Sequence, residues 1–311
     1  MEWYWILIIV VAALLLILFG SAFAMFLLAF GANRKQVNRL FLEREKDPAP
    51  LVRMRFRTRD YMDALPYDAL TLTASDGVRL SARFFPNGGT KKVTIICHGW
   101  HSFPWWDFGK AFDIVYDAGY AVLAVSQRAQ GESAGNCLTY GAKESDDLIL
   151  WIRKLLSTYG EDLSIAIMGV SMGAATVLCA TGKPLPKQVK CAVSDCSFTS
   201  ARDEFASASK IFPAIYPCSV PIVRVFAGIR YRDASPIDAV KRSATPTLFI
   251  HGDADDFVPY PMLQRLYDAC AAQDKALWAS PGAVHAEAAM RNPDAYAAHV
   301  LPWLMDHLSD R

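Results

Sequence analysis

Apolar and polar positions change their pattern twice along the chain. From Trp3 to Ala32 no residue is charged: "WYWILIIVVAALLLILFGSAFAMFLLAFGA". A helix needs ~20 apolar residues to cross the hydrocarbon of a bilayer, so this run is long enough with room for tilt. Residues 34–65 are polar and basic and predict a juxtamembrane helix followed by a linker around "DPAP". From Asp68 onward short apolar runs alternate with amphipathic ones. "ALTLTASDGVRLSARFFP" predicts two strands joined at Asp76-Gly77, a frequent hairpin pair. "KKVTIICHG", "GYAVLAVS", "LSIAIMG", "VKCAVSD", "TPTLFIHG" and "KALWAS" predict six more strands. Between them, residues 105–118 and 144–159 and the segment "SMGAATVLCATG", closed by Gly182, predict helices. In the second of these, Leu148, Trp151, Ile152, Leu155 and Leu156 share a face.

Strands alternating with helices imply an α/β fold with a mostly parallel central sheet and helices on both faces, the hairpin adding antiparallel strands at one edge. Residues 197–235 interrupt the alternation with three prolines and many apolar side chains, and predict a small helical cap over the C-terminal ends of the strands. Ligands bind at those ends in such sheets.

Composition adds limits. Of 311 residues 53% are hydrophobic, with much of the excess in the first thirty positions, and the formal net charge is +1. That balance argues against a general nucleic-acid binder, which needs a basic field over one face. Seven scattered cysteines without CxxC spacing read as buried free thiols in a reducing compartment, one extracytoplasmic disulfide being the alternative. Ala22-Phe23-Ala24 resembles a signal-peptide cleavage site, but only Glu2 precedes the apolar run and the run is too long, so an uncleaved anchor is expected. Arg34, Lys35, Arg39, Arg44 and Lys46 follow the span and no basic residue precedes it, which places the bulk of the chain on the cytoplasmic side of a single-pass anchor. In "RMRFRTRD" the arginines 53, 55, 57 and 59 alternate with other residues. An extended chain would put them on one face, as a solvated edge or as a contact for anionic head groups.

The chemistry centres on "MGVSMGAAT", where Ser171 lies at a strand-to-helix junction between closely spaced glycines. A sharp elbow there strains the serine and brings strand and helix into close contact, which Gly169, Gly173, Ala174 and Ala175 can accommodate. A hydroxyl needs a base, and the base a third group to orient it. Of six histidines, His285 in "SPGAVHAEA" follows the last strand and is the expected base. His98 and His251 suit structural roles, His299 and His307 lie on the final helix, and His101 is either a substrate contact or a solvated loop residue. Asp255 is the expected acid, with Asp256 as fallback and Asp195 as outsider. These carboxylates lack the glycine and glutamate spacing of a calcium loop, and no metal or other cofactor is expected. An oxyanion would be met by the N–H of Met172 and, most simply, that of Trp100.

These motifs resemble the α/β-hydrolase superfamily over about residues 66–308: "CHGW", "QRAQGES", "GVSMGAAT", "SPID", "HGDADDFVP" and "GAVHAEA". Together they are similar to bacterial membrane-anchored serine hydrolases near the serine-aminopeptidase-like and prolyl-oligopeptidase-like branches. The resemblance implies an α/β-hydrolase fold over 66–311, after an anchor at 1–33 and a juxtamembrane region at 34–65, and its HG-x-x-D-x-x-VP pattern selects Asp255. Gln127 departs from it, since many relatives carry an aspartate before the arginine of that loop. It further implies ester, thioester or amide hydrolysis. The apolar cap, with Phe212 and Tyr216 as expected substrate contacts, favours a small-molecule or lipid-like ester with an apolar acyl group. A peptidase or acyltransferase with the same triad, or an idle fold serving as a membrane-bound interaction module, are the other readings.

Overall fold

The computed structural model describes residues 2–309. It opens with three helices, α1 (Trp3–Phe30), α2 (Arg34–Arg44) and α3 (Pro50–Ala64). The hairpin β1 (Asp68–Thr73) and β2 (Arg79–Phe85) follows, then β3 (Lys92–Cys97), α4 (Pro104–Phe108), α5 (Lys110–Asp117), β4 (Ala121–Ser126) and α6 (Glu144–Tyr159). Next come β5 (Ser164–Val170), α7 (Met172–Thr181), β6 (Val189–Asp195), α8 (Ala201–Ala208), α9 (Phe212–Phe226) and α10 (Pro236–Val240). The chain closes with β7 (Thr247–Gly252), α11 (Pro261–Ala269), β8 (Lys275–Ser280), α12 (Ala288–Arg291) and α13 (Pro293–Leu308).

The eight strands form one sheet in the order β1-β2-β4-β3-β5-β6-β7-β8. The pairs β1–β2 and β2–β4 are antiparallel and every later pair is parallel. The strands β3 to β7 are buried on both faces, which is why they read as unbroken apolar runs. Their period of two still sorts the core. Ile96, Val122, Ala166 and Met168 face α5 and α13 through Phe112, Val300 and Leu304. Ile95, Leu123, Ile165 and Ile167 face α6 and α7 through Trp151, Ile152 and Val177.

The structure departs from the sequence reading in two places. The helix expected over 105–118 breaks at Gly109, whose φ of 44° no helix interior tolerates. The arginine-rich segment is the helix α3 and not an extended edge. Helical spacing scatters its arginines around the axis, and Arg55 is buried while Arg53 and Arg57 face solvent. The 197–235 segment folds as α8, α9 and a short 3-10 turn over the C-terminal ends of the strands.

Among the described residues α1 is the helix long and apolar enough to cross a membrane. Its N-terminal two-thirds is exposed, but Ala22, Phe26, Ala29 and Phe30 are buried against α8 and α9. Beyond it, the chain is stitched to the loop before α6. The Leu138 N–H donates to the Phe30 carbonyl (2.8 Å) and the Ala32 N–H to that of Asn136 (3.0 Å). Arg34 donates to the carbonyls of Ser133 (2.5 Å) and Gly135 (2.9 Å).

Candidate active site

Ser171 caps the turn from β5 into α7 with φ 56° and ψ −121°, a backbone state that costs a non-glycine residue ~1–3 kcal/mol. Two features hold it there. Its N–H donates to the Asp195 carbonyl on β6 (2.9 Å), and its carbonyl accepts from Ala175 (3.0 Å). The glycines around it are forced by contact: a Cβ on Gly173 would collide with the Cys97 carbonyl, and one on Gly169 with the Gly173 carbonyl. The apolar strand drives straight into a helix of small residues, and the hydroxyl is left at the sheet's C-terminal edge.

His285, in the loop after β8, brings Nε2 to 2.8 Å from Ser171 Oγ. Its Nδ1 lies 2.8 Å from Asp255 Oδ2. Asp255 is buried in the loop after β7, and its other oxygen accepts the N–H groups of Phe257 and Val258, both at 3.0 Å. Burial alone would raise this carboxyl, but hydrogen bonds from His251 and His285, with their charge, hold it well below the usual carboxylate range. Asp256 is exposed. Asp195 is buried and makes no side-chain hydrogen bond to His285; burial pushes it up to about 6 against the pull of His251 and His285. The sequence alternatives for the acid are therefore separated by position.

The loop after β3 faces the serine closely: a Cβ on Gly99 would stand 3.1 Å from that of Ser171. Asp107, which belongs to no sequence motif, organises this loop. One of its oxygens accepts from the Gly99 N–H (2.5 Å) and the other from the Ser102 hydroxyl (2.7 Å). Among the described residues the amides of Trp100 and Met172 donate to no protein group, and both residues line the space above Ser171. The Trp100 indole N–H reaches 2.8 Å to the Ala29 carbonyl of α1, which also accepts from the Tyr140 hydroxyl (3.0 Å). Arg55 of α3 donates to the carbonyls of Trp106 (2.5 Å) and Ala286 (2.8 Å), so it ties this loop to the residue after His285.

Other sequence expectations resolve individually. His98 is buried, with Nδ1 3.0 Å from the Gly99 carbonyl and Nε2 accepting from Gln127, and burial pushes it down to about 4. Gln127 also bonds the His98 carbonyl and accepts from Thr176 (3.0 Å), so the residue that departs from the pattern has full use of its amide. His251 places Nε2 3.0 Å from the Val258 carbonyl. His101 lines the space near Ser171 without a side-chain partner. His299 stacks on Trp278, and His307 pairs with Asp274. Phe212 and Tyr216 do not line the space around Ser171; they pack on Tyr231 inside the cap, and Ile211 and Ile215 take the lining positions. All seven cysteines are free. Cys196, Asp255 and His285 bring one ligand atom each within 4.8 Å. Burial raises that thiol, which opposes a thiolate ligand, and the other two groups are bonded to each other.

Two cavities meet at Ser171. One, of 570 Å³, is apolar and lies between the cap and α1, with Met25, Phe205, Ile211 and Ile215 in its wall. Glu204 also lines it; burial, with Asp255 nearby, pushes that carboxyl up to about 8, which favours its neutral form in this apolar wall. The other, of 470 Å³, is bounded by α2 and the loop after β3; Val37, Leu40 and Phe41 make it largely apolar, and Asn33, Gln36 and Arg44 add polar groups. Both volumes fall in the ~300–1,000 Å³ range of small-molecule sites.

Comparison with known proteins identifies the family and the fold. The model of the prolyl oligopeptidase family matches residues 106–311. The uncharacterized protein YqkD of Bacillus subtilis is 29% identical over 226 residues, 71% of this chain and 73% of that protein. An uncharacterized membrane protein of Saccharomyces cerevisiae is 26% identical over 227 residues, 71% of this chain and 74% of the relative. Among solved structures, an esterase of Pyrococcus furiosus superposes with a TM-score of 0.66 at 25% identity, covering 79% of this chain and 93% of its own. The α/β-hydrolase fold expected from the motifs is thereby established.

Proposed function

The chain belongs to the prolyl oligopeptidase family of α/β-hydrolases, and from that premise we propose that it is a membrane-anchored serine hydrolase of carboxylic esters or thioesters with an apolar acyl group. The observation that carries the reading is the continuous relay from Ser171 Oγ through His285 to Asp255, at 2.8 Å and 2.8 Å, opening onto an apolar cavity.

His285 Nε2 takes the proton of Ser171 Oγ as the oxygen attacks the ester carbonyl, and Asp255 holds the imidazolium by its Nδ1–H. The negative oxygen that develops is met by the N–H groups of Trp100 and Met172, the latter at the positive end of α7. As the intermediate collapses, the C–O bond of the ester breaks and His285 returns its proton to the departing alcohol. Water then attacks the acyl-enzyme, giving its proton to His285, and the acid leaves as Ser171 recovers its hydrogen. The basic residues Arg34, Lys35, Arg39, Arg44 and Lys46 support a cytoplasmic position for the catalytic part. The family name keeps a peptidase as the second reading, but the apolar lining near the serine favours an acyl group.

The test is labelling by a fluorophosphonate, with hydrolysis of p-nitrophenyl esters and of aminoacyl p-nitroanilides measured in parallel. Ser171→Ala should lose labelling and at least ~10⁴-fold in ester turnover, in line with triad deletions elsewhere. Turnover that persists in the alanine form would sink the reading, and preference for the anilides would move it to a peptidase.

A further inference from the structure

The anchor helix does more than tether. With 28 residues at ~1.5 Å each, α1 is about 42 Å long, and a hydrocarbon core takes ~30 Å. Counted from the aromatic belt Trp3–Trp5, the crossing is complete near Phe23. The last two turns are therefore at the membrane boundary, and there the helix has two working faces. One buries Ala22, Phe26, Ala29 and Phe30, with Phe26 5.7 Å from Phe226 of the cap. The neighbouring face, Ser21, Ala24, Met25 and Leu28, follows helical spacing and lines the apolar cavity opposite Phe205 and Ile215.

The cap presents its own apolar rim. Ile211, Val225 and Phe226 are 62%, 72% and 56% exposed, an unfavourable surface in water and an ordinary one against lipid. Past Leu28 and Trp100 the second cavity offers Arg44, Asn33 and Gln36. An amphiphile finds apolar wall on the bilayer side of Ser171, and on the other a lining that is mainly apolar, with Val37, Leu40 and Phe41, but adds the polar groups of Arg44, Asn33 and Gln36.

We propose that α1 is one wall of the acyl site, and that the substrate is an acyl ester of a membrane lipid whose chain passes from the bilayer between α1 and the cap, with its head group beside Arg44. The inference rests on the hydrolase reading above and names the substrate class of that same site. The chemistry is unchanged: the acyl carbon passes from the lipid oxygen to Ser171 Oγ and then to water.

The experiment uses the full chain in phosphatidylcholine nanodiscs and measures inactivation by ethyl, octyl and dodecyl fluorophosphonates. The dodecyl probe should react at least about tenfold faster than the ethyl probe, the scale on which methylenes in an apolar pocket act. Ala24→Trp, which fills the cavity from the anchor side, should cut the dodecyl-to-ethyl ratio at least about tenfold. Met25→Ala, which deepens the same wall, should shift the optimum toward the longer probe. That opposite sign separates a wall from a damaged fold. Leu16→Trp, on the lipid-facing surface at 76% exposure, should keep the wild-type ratio. A ratio unmoved by both wall variants overturns the proposal while leaving the hydrolase reading intact. A folded wild type that refuses even the ethyl probe overturns the hydrolase reading, and the wall with it.

Discussion

The two sides of Ser171 are built in different ways. On the elbow side, β5, the turn and α7 are consecutive, and backbone contact fixes everything: Gly173 lies against the Cys97 carbonyl, and Ser171 hangs from β6. On the other side, the loop after β3 is held by groups that lie outside it, some near in sequence and some far. Asp107 grips it from α4, Gln130 accepts from the Ser102 N–H (3.1 Å), Arg55 reaches it from α3, and the Ala29 carbonyl of α1 fixes Trp100. One side is close-packed and local. The other is assembled from hydrogen bonds that span the whole N-terminal region, so the two should fail differently.

The largest expected effect is on the local side. Gly173→Ala puts a methyl group into a backbone carbonyl where neither strand nor helix can yield, and should cost about 4 kcal/mol or more. Chemical denaturation checks it, and a loss under about 1 kcal/mol would show that the elbow is softer than its packing implies. The cap should give a smaller, pH-dependent effect. Glu204 has a folded pKa raised by burial to about 8, so the native state binds a proton that the unfolded state releases, and stability falls as pH rises toward that value. Between pH 5 and pH 7 this amounts to about 2–3 kcal/mol from an ordinary glutamate pKa of ~4.3. Glu204→Gln should flatten the pH profile of unfolding by that amount, and an unchanged profile would mean the carboxyl is solvated. The smallest effect belongs to the borrowed side. Trp100→Phe keeps an aromatic side chain, though a smaller one, and removes the indole N–H bond to α1; it should lower kcat about 3–10-fold with a stability change near 1 kcal/mol. Equal loss of kcat and stability-limited protein would remove the distinction between the two sides.

The same contrast explains what was legible in the sequence. The elbow could be read because its constraint is local: strand, Gly-x-Ser-x-Gly, small-residue helix. Asp255 and His285 were legible because each follows a strand that ends at the same edge of the sheet. Asp107, Arg55 and the Ala29 carbonyl could not be found that way. Asp107 sits in an aromatic stretch without a motif, and a backbone carbonyl has no residue signature at all. Arg55 was hidden by an alternation in "RMRFRTRD" that mimics a strand, while the capable helix formers in that segment and Pro50 at its start set a helix. Apolar character in the cap points to Phe212 and Tyr216 as readily as to their neighbours, but along α9 one residue of rotation turns a side chain by about 100°, which sends Ile211 and Ile215 to the cavity instead.

The stitching of Phe30 and Ala32 to Leu138 and Asn136 also sets an order of events during synthesis. The N-terminal helix leaves the ribosome first, and its partners follow more than a hundred residues later. At ~5–20 residues per second the interval is on the order of ten seconds, during which an uncovered apolar helix needs shelter. Only when Trp100 and Tyr140 have emerged does the Ala29 carbonyl gain its two donors and the loop beside Ser171 its final shape, and the cap that covers Phe26 and Phe30 follows later still. Completion of the loop beside Ser171 thus waits for residues far along the chain, and a nascent chain carries an incomplete site until then.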